Sequence, residues 1–295
     1  MAHRSSNKVE NINYMKKTLI IIIISVVFIA TTIWFSHNMK RTYRKAVKSE
    51  LERTVNIEPG ILTEEDMLHL PECVKKYLHY TGFVGKEKVL NFRCEFSGGI
   101  RFKPGEDYMP LKSVQYNFID AASRSFYIVA KKKGIPAIGL HLYQEAEATF
   151  KIKILGLITV VDASGSKMNQ GETVTVLNDM FFIAPGSLID RRIKWENIDS
   201  LTVKAVFSNS NITVSAFVYF NEEGKLLNFV SNDRYDTNGK EYNNYPWETP
   251  VTEYKNINGY QIPSKARLIY KRPDGDFCYG EFELVTLEYN CKKLK

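Results

Sequence analysis

Residues 201–235 read LTVKAVFSNSNITVSAFVYFNEEGKLLNFVSNDRY. Three strand-like runs, Leu201–Phe207, Asn211–Phe220 and Lys225–Tyr235, are separated only by Ser208–Ser210 and Asn221–Gly224. Each is rich in Val, Ile, Phe or Tyr and alternates apolar with polar residues, the two-residue period of a half-buried strand. Links this short join antiparallel neighbours, because a parallel pair needs a crossover of a dozen or more residues. The stretch is an antiparallel meander.

The same pattern extends in both directions. Ile193–Ile198 precedes it. Val251–Ile257 and Ser264–Arg272 follow, joined through Asn258-Gly259, and Pro273–Asp276 turns into Phe277–Asn290. Upstream, Leu90, Phe92, Cys94 and Phe96 alternate with polar residues, as do Val114, Tyr116 and Phe118. Ser125–Ala130, Leu140–Glu145 and Phe150–Val161, broken at Gly156, add apolar runs. The total is about ten or eleven strands.

Two helical elements interrupt the strands. Thr63-Glu64-Glu65-Asp66 has the N-cap and acidic first turn of a helix start, Leu62, Met67, Leu70, Val74, Tyr77 and Leu78 form its apolar face, and Gly82 ends it. Pro71 predicts a kink or two short helices. A second helix runs from Met168–Glu172 through Val174, Leu177, Met180 and Phe181 to Pro185-Gly186. The expected fold is α+β: a strongly curved antiparallel sheet, a half-barrel, with these helices on one side.

Near the N-terminus, residues 18–36 (TLIIIIISVVFIATTIWFS) carry no charge. A helix of this length spans about 28 Å at ~1.5 Å per residue, close to a hydrocarbon core of about 30 Å. The run predicts a transmembrane helix after a short basic tail (1–17), followed by a basic juxtamembrane linker (37–61) whose first part continues the helix to about Arg53, and a β domain over 62–295. A cleaved signal peptide is the poorer fit, since Phe28-Ile29-Ala30 lacks the small residues of a cleavage site. Lys/Arg on both flanks leave the orientation open.

The formal charge of +7 is confined to this region. Residues 1–53 hold ten Lys/Arg against three acids, and residues 54–295 hold thirty of each sign. Juxtamembrane cations favour anionic headgroups by ~1 kcal/mol each, so the membrane lipid itself is an expected partner. A neutral β domain has no basic stripe for nucleic acid. Cys73, Cys94, Cys278 and Cys291 lack CxxC spacing and read as buried small hydrophobes rather than zinc ligands. No metal or other cofactor is expected.

No GxSxG, P-loop, GxGxxG or HExxH is present, and non-enzymatic function is expected. Asp162, Gln170, Glu172, Arg191 and Trp195 gather around the second helix and, with Met168 and Trp247, form the candidate ligand-binding set. In a purely structural reading, Glu172 caps a helix start, Asp162 caps a turn and Arg191 is a solvated ion-pair partner. Phe and Tyr number seventeen each, and the last strands are apolar on part of both faces. That calls either for a second layer or closing barrel, or for a concave apolar cavity holding a lipid-like ligand.

Several segments in this order resemble an uncharacterised bacterial family of unknown function. They are Leu70-Pro71, Val74, Tyr77-Leu78 and Tyr80-Thr81-Gly82; Leu155-Gly156-Leu157 through Val160–Ala163 and Gly165; Gln170-Gly171-Glu172; Thr252–Tyr254; Asn258-Gly259; Ile262–Ser264; and Glu288–Asn290. Asn169 stands where members of that family often have Asp, which argues against a catalytic use of the position. The strand–NGxxIPS–strand tail is more distantly similar to lipoprotein-carrier half-barrels. That resemblance implies an extracytoplasmic domain that binds acyl chains. The expected protein is thus a single-pass cell-membrane protein whose outward-facing half-barrel binds a lipid or acylated ligand. An envelope sensor or protein-interaction module, and a hydrolase using carboxylates such as Asp162 and Glu172, are the alternatives.

Overall fold

In the computed structural model, which describes residues 15–30, 34, 37–237 and 241–295, the alternating runs become strands of one continuous sheet. The first meander comprises β1 (Asn91–Ile100), β2 (Met109–Phe118), β3 (Ser123–Lys132), β4 (Ile135–Gln144), β5 (Glu147–Ile154) and β6 (Ile158–Ser164). The second comprises β7 (Ile193–Asn197), β8 (Thr202–Asn209), β9 (Ile212–Phe220) and β10 (Leu226–Ser231). Then come β11 (Tyr235–Thr237), β12 (Tyr242–Asn244), β13 (Trp247–Glu248), β14 (Val251–Ile257), β15 (Tyr260–Arg272) and β16 (Gly275–Tyr289).

Among the described residues the main sheet has fourteen strands in the order β6-β5-β4-β3-β2-β1-β16-β15-β13-β10-β9-β8-β7, with β14 also on β15. The last long strands, β15 and β16, thus lie between the two meanders and join them. The sheet curls into an antiparallel half-barrel of α+β class. Where β1 crosses β16, Gly98 has φ +152°, and a Cβ there would sit 2.0 Å from the Glu281 carbonyl oxygen, so only glycine fits.

The strands outnumber those expected. Phe150–Val161 divides at Leu155-Gly156, where the break at Gly156 was expected, and Lys225–Tyr235 is divided as well, by a bend at 232–234. Both Leu155 and Gly156 take positive φ, as the central residues of a type I′ turn do, and the Leu157 N–H closes the turn by donating to the Ile154 carbonyl at 3.0 Å.

Besides the helical residues 15–30, the α-helices are α1 (Asn38–Thr54), α2 (Glu72–Thr81) and α3 (Ser166–Phe182). The element around Pro71 is interrupted, with a short 3-10 turn at Glu65–Met67 before α2, and Gly82 ends α2 in the left-handed conformation. α3 lies in the concave face, and twelve of its residues are buried. That burial is why its pattern is less amphipathic than a surface helix.

The two expected helices, α2 and α3, pack in one core, where Tyr77 Oη donates to the Phe181 carbonyl at 2.6 Å, but a further helix lies on the other face. Residues 38–54, expected as the start of a juxtamembrane linker, form α1 on the convex face. Met39, Tyr43, Val47 and Leu51, spaced four apart, pack against Tyr116, Phe118 and Leu140. The Tyr43 and Tyr127 rings are 5.7 Å apart. Strand parity accounts for the two-sided arrangement: on β2–β4 the residues facing α1 alternate with those facing the cavity. The end of α1 is tied down where Arg53 pairs with Asp120 and Gln144 Nε2 donates to Glu50 Oε1 at 3.3 Å.

Residues 15–30 are helical. Among the described residues, no helix is long and apolar enough to cross a membrane. Of the expected transmembrane run 18–36, residues 31–33, 35 and 36 lie outside the described residues, as does most of the expected basic tail 1–17.

Candidate ligand-binding site

Because α3 is buried on nearly every side, its polar side chains need partners inside the protein. Met168, Glu172, Thr175, Asp179 and Phe182 recur at three- and four-residue spacing and share the face turned to a cavity of about 290 Å3. Opposite them stand the concave-face residues of β2–β4: Gln115, Arg124, Phe126, Ile128 and His141.

Arg124 holds the two carboxylates of α3 together. Its Nη1 donates to Glu172 Oε1 at 2.7 Å and its Nε to Asp179 Oδ2 at 2.9 Å. Gln115 and Asn117 also donate to Asp179 Oδ2, at 2.8 and 3.0 Å. Arg124 Nη2 donates to Gln115 Oε1 at 3.0 Å, which closes the network. His141 Nε2 lies 3.0 Å from Glu172 Oε2, but off the angle a hydrogen bond requires, so neither atom has a hydrogen-bond partner in the structure.

Burial alone would raise the Glu172 carboxyl, but the charges of His141 and Arg124 more than offset it and hold the group well below the usual range. Asp179 goes the other way. Burial, with repulsion from Glu172, outweighs Arg124 and Asn117 and pushes it up. A guanidinium that bridges both carboxylates suits anchoring rather than proton exchange between them.

The walls are apolar, formed by aliphatic and aromatic residues of β1, β3, β5, β15 and β16 such as Ile100, Ile152, Leu268 and Phe282. A second polar cluster lies where the chain bends between β10 and β11. Arg234 stacks 4.6 Å over the Trp247 ring, donates from Nε to Thr175 Oγ1 at 3.2 Å, and donates from Nη1 to the Tyr270 hydroxyl. Trp247 Nε1 donates to the Tyr279 hydroxyl at 3.1 Å.

Of the expected site residues, Met168, Glu172 and Trp247 line this cavity. The other four do not. Gln170 donates to the Asp233 carbonyl at 2.9 Å and so braces the bend that carries Arg234. Asp162 is exposed on β6, 3.2 Å from Lys151. Its strand parity points it away from the concave face, so it cannot pair with Glu172. Arg191 is exposed, and Trp195 is half-buried against Phe181, with ring centroids 6.0 Å apart. Asn169 Oδ1 accepts from the Ala148 backbone, a structural role.

Arg124, Asp179, His141 and Arg234 were not legible as site residues. The available signal was charged residues within strongly apolar runs, since a charge at a core-facing position needs a buried partner. Among the described residues, no group of three or more His, Cys, Asp or Glu side chains is placed to hold a metal ion.

A comparison with curated proteins found no match. Among solved structures, the chain is similar to a DUF1329 family protein from Desulfovibrio piger ATCC 29098. The identity is 13% and the TM-score 0.44, over 74% of this chain and 91% of that one. Residues 60–282 match the model of a family of unknown function, DUF6544. That span holds α2, α3, the cavity network and most of the sheet, and the chain therefore belongs to the DUF6544 family.

Proposed function

We propose that this protein is a membrane-tethered, extracytoplasmic binding protein that holds the apolar chain of a lipid or acylated molecule in its half-barrel. The observation that carries this reading is the cavity. At about 290 Å3 it is near the lower bound of ligand pockets, about 300 Å3, so it suits one chain rather than a two-chain lipid.

Two further features support a place at a bilayer. Apolar residues 19–24 are helical and more than half exposed, as expected of a helix whose solvent is lipid. The turns β1–β2, β3–β4 and β5–β6 share one end of the sheet and expose Phe102, Ile135, Leu155, Leu157 and Ile158 there. Lys103, Lys131, Lys132 and Lys133 flank them. Phe102 also lines the cavity, which therefore reaches this end. The end of α1 is fixed at the opposite end of the sheet, so its start lies toward these turns. Exposed apolar tips ringed by lysines suit an anionic bilayer surface.

Native mass spectrometry of the detergent-solubilised full chain tests the reading. Co-purifying lipid, or adducts on adding acyl ligands, is the expected result. An apo mass that does not respond to acyl ligands would overturn it.

A further inference from the structure

We infer that the cavity selects a single-chain amphiphile whose head is a carboxylate, a free fatty acid, and that Arg234 receives that head; the inference rests on the apolar-chain reading above. It follows from how the charges around the cavity are paired. Three acids line it, and each already has a cation. Glu172 and Asp179 share Arg124, and Asp236 Oδ2 lies 2.6 Å from Arg272. Four basic side chains of Lys/Arg type line it: Arg101, Arg124, Lys167 and Arg234. Only Arg124 has a carboxylate within ion-pair distance among the described residues. The lining therefore carries four cations against three acids, and Arg234, on which the Glu172 charge acts only at longer range, has no direct ion pair among the described residues.

Arg234 is the best placed of the three unpaired cations. Its Nε and Nη1 are engaged by Thr175 and Tyr270, which fixes the guanidinium plane, and Trp247 supports its face. Among the described residues Nη2 makes no hydrogen bond, which leaves donors for an incoming oxyanion. Charge-assisted hydrogen bonds of this kind are about twice as strong as neutral ones. Lys167 is exposed, with its Nζ 5.4 and 5.6 Å from the Tyr235 and Tyr242 ring centroids, and adds a second positive charge beside the bend. Arg101 donates from Nε to the Cys278 carbonyl at 2.8 Å and supplies a third. An apolar wall that also carries Arg234, Lys167 and Arg101 matches a molecule with an apolar tail and one anionic end.

The test compares a fluorescent polyene fatty acid with its methyl ester on the full chain in detergent. The two ligands share a tail and differ only in head charge. On the unmodified protein the acid should bind at least about ten-fold tighter than the ester. In Arg234→Gln that preference should collapse while ester affinity stays within about two-fold, which also shows that the cavity is intact. Lys167→Gln, an exposed change that leaves the core untouched, should reduce the preference in part. If Arg234→Gln also loses the ester, Lys167→Gln alone decides, and an unaltered preference there overturns the inference. Equal binding of acid and ester to the unmodified protein overturns it as well and leaves the apolar-chain reading standing. Binding of neither ligand overturns both.

Discussion

Arg124 on β3 reaches Glu172 on α3 with 2.7 Å between Nη1 and Oε1, and the two side chains are only 7% and 1% exposed. The pair joins the sheet to the helix that lines the cavity. It is also the point where two carboxylates, two amides and a histidine converge, so the geometry of the cavity floor depends on it.

Removing one member should therefore be costly. Breaking a buried ion pair leaves an uncompensated charge and typically costs about 3–5 kcal/mol. Arg124→Met leaves both Glu172 and Asp179 without their guanidinium, and is expected to destabilise by that amount. Equilibrium denaturation reads it as a fall in midpoint with an unchanged slope. A change below about 1 kcal/mol would mean that the network is not formed in solution.

The depressed Glu172 carboxyl makes stability depend on pH. Its folded value lies below its ordinary value of about 4.5, so its contribution is complete above that ordinary value and is lost as pH falls toward the folded one. Asp179, whose folded value is raised, contributes the opposite slope. Its stabilisation is present below its ordinary value and is lost as pH rises through the folded one. Denaturation of wild type and Glu172→Gln across the acid range separates the two. The variant should lose less stability than wild type on acidification, and parallel curves would refute the assignment.

Filling the cavity should block ligand uptake without unfolding the protein. Ala137 is half-buried in the cavity lining, so Ala137→Trp projects a large ring into the open volume. Acyl-ligand affinity should fall at least about ten-fold, at a stability cost of about 1–3 kcal/mol. Fluorescence titration and thermal unfolding measure the two effects independently.

The apolar tips can be tested in reconstituted anionic vesicles. A fluorophore placed by Leu157→Cys should be quenched by lipids spin-labelled near the headgroup, and one placed by Glu145→Cys, at a turn on the opposite end of the sheet, should not. Replacing Phe102 and Ile158 with Ser should weaken the Leu157→Cys quenching, with stability shifts within about 0.5 kcal/mol each. Equal quenching at both ends would remove the case for bilayer docking.

Most of the strands and the site of α3 could be read from local pattern. The alternation in Leu201–Tyr235 needs only neighbouring residues to be recognised, and short turns dictate antiparallel pairing. Glu172, Met168 and Trp247 could be chosen as site residues because they cluster near a helix start or stand out by type. Asp162 and Arg191 were equally plausible on those grounds, yet they project to solvent. Strand parity and helix rotation decide exposure, and a shift of one residue reverses it.

By itself, the sequence determined the α+β class, the antiparallel order within each meander, the interrupted helix at Pro71, the confinement of net charge to the first 53 residues, and membership in the family. All follow from periodicity, turn chemistry or composition, which act over a few residues or over the whole count. Tertiary structure alone decided that β16 and β15 join the two meanders and that α1 covers the convex face. It also decided that Arg124 meets carboxylates 48 and 55 positions away, while Arg234 bonds to the hydroxyls of Thr175 and Tyr270 instead. A buried charge is stabilised only by groups within a few ångströms, and which groups those are depends on how distant segments pack.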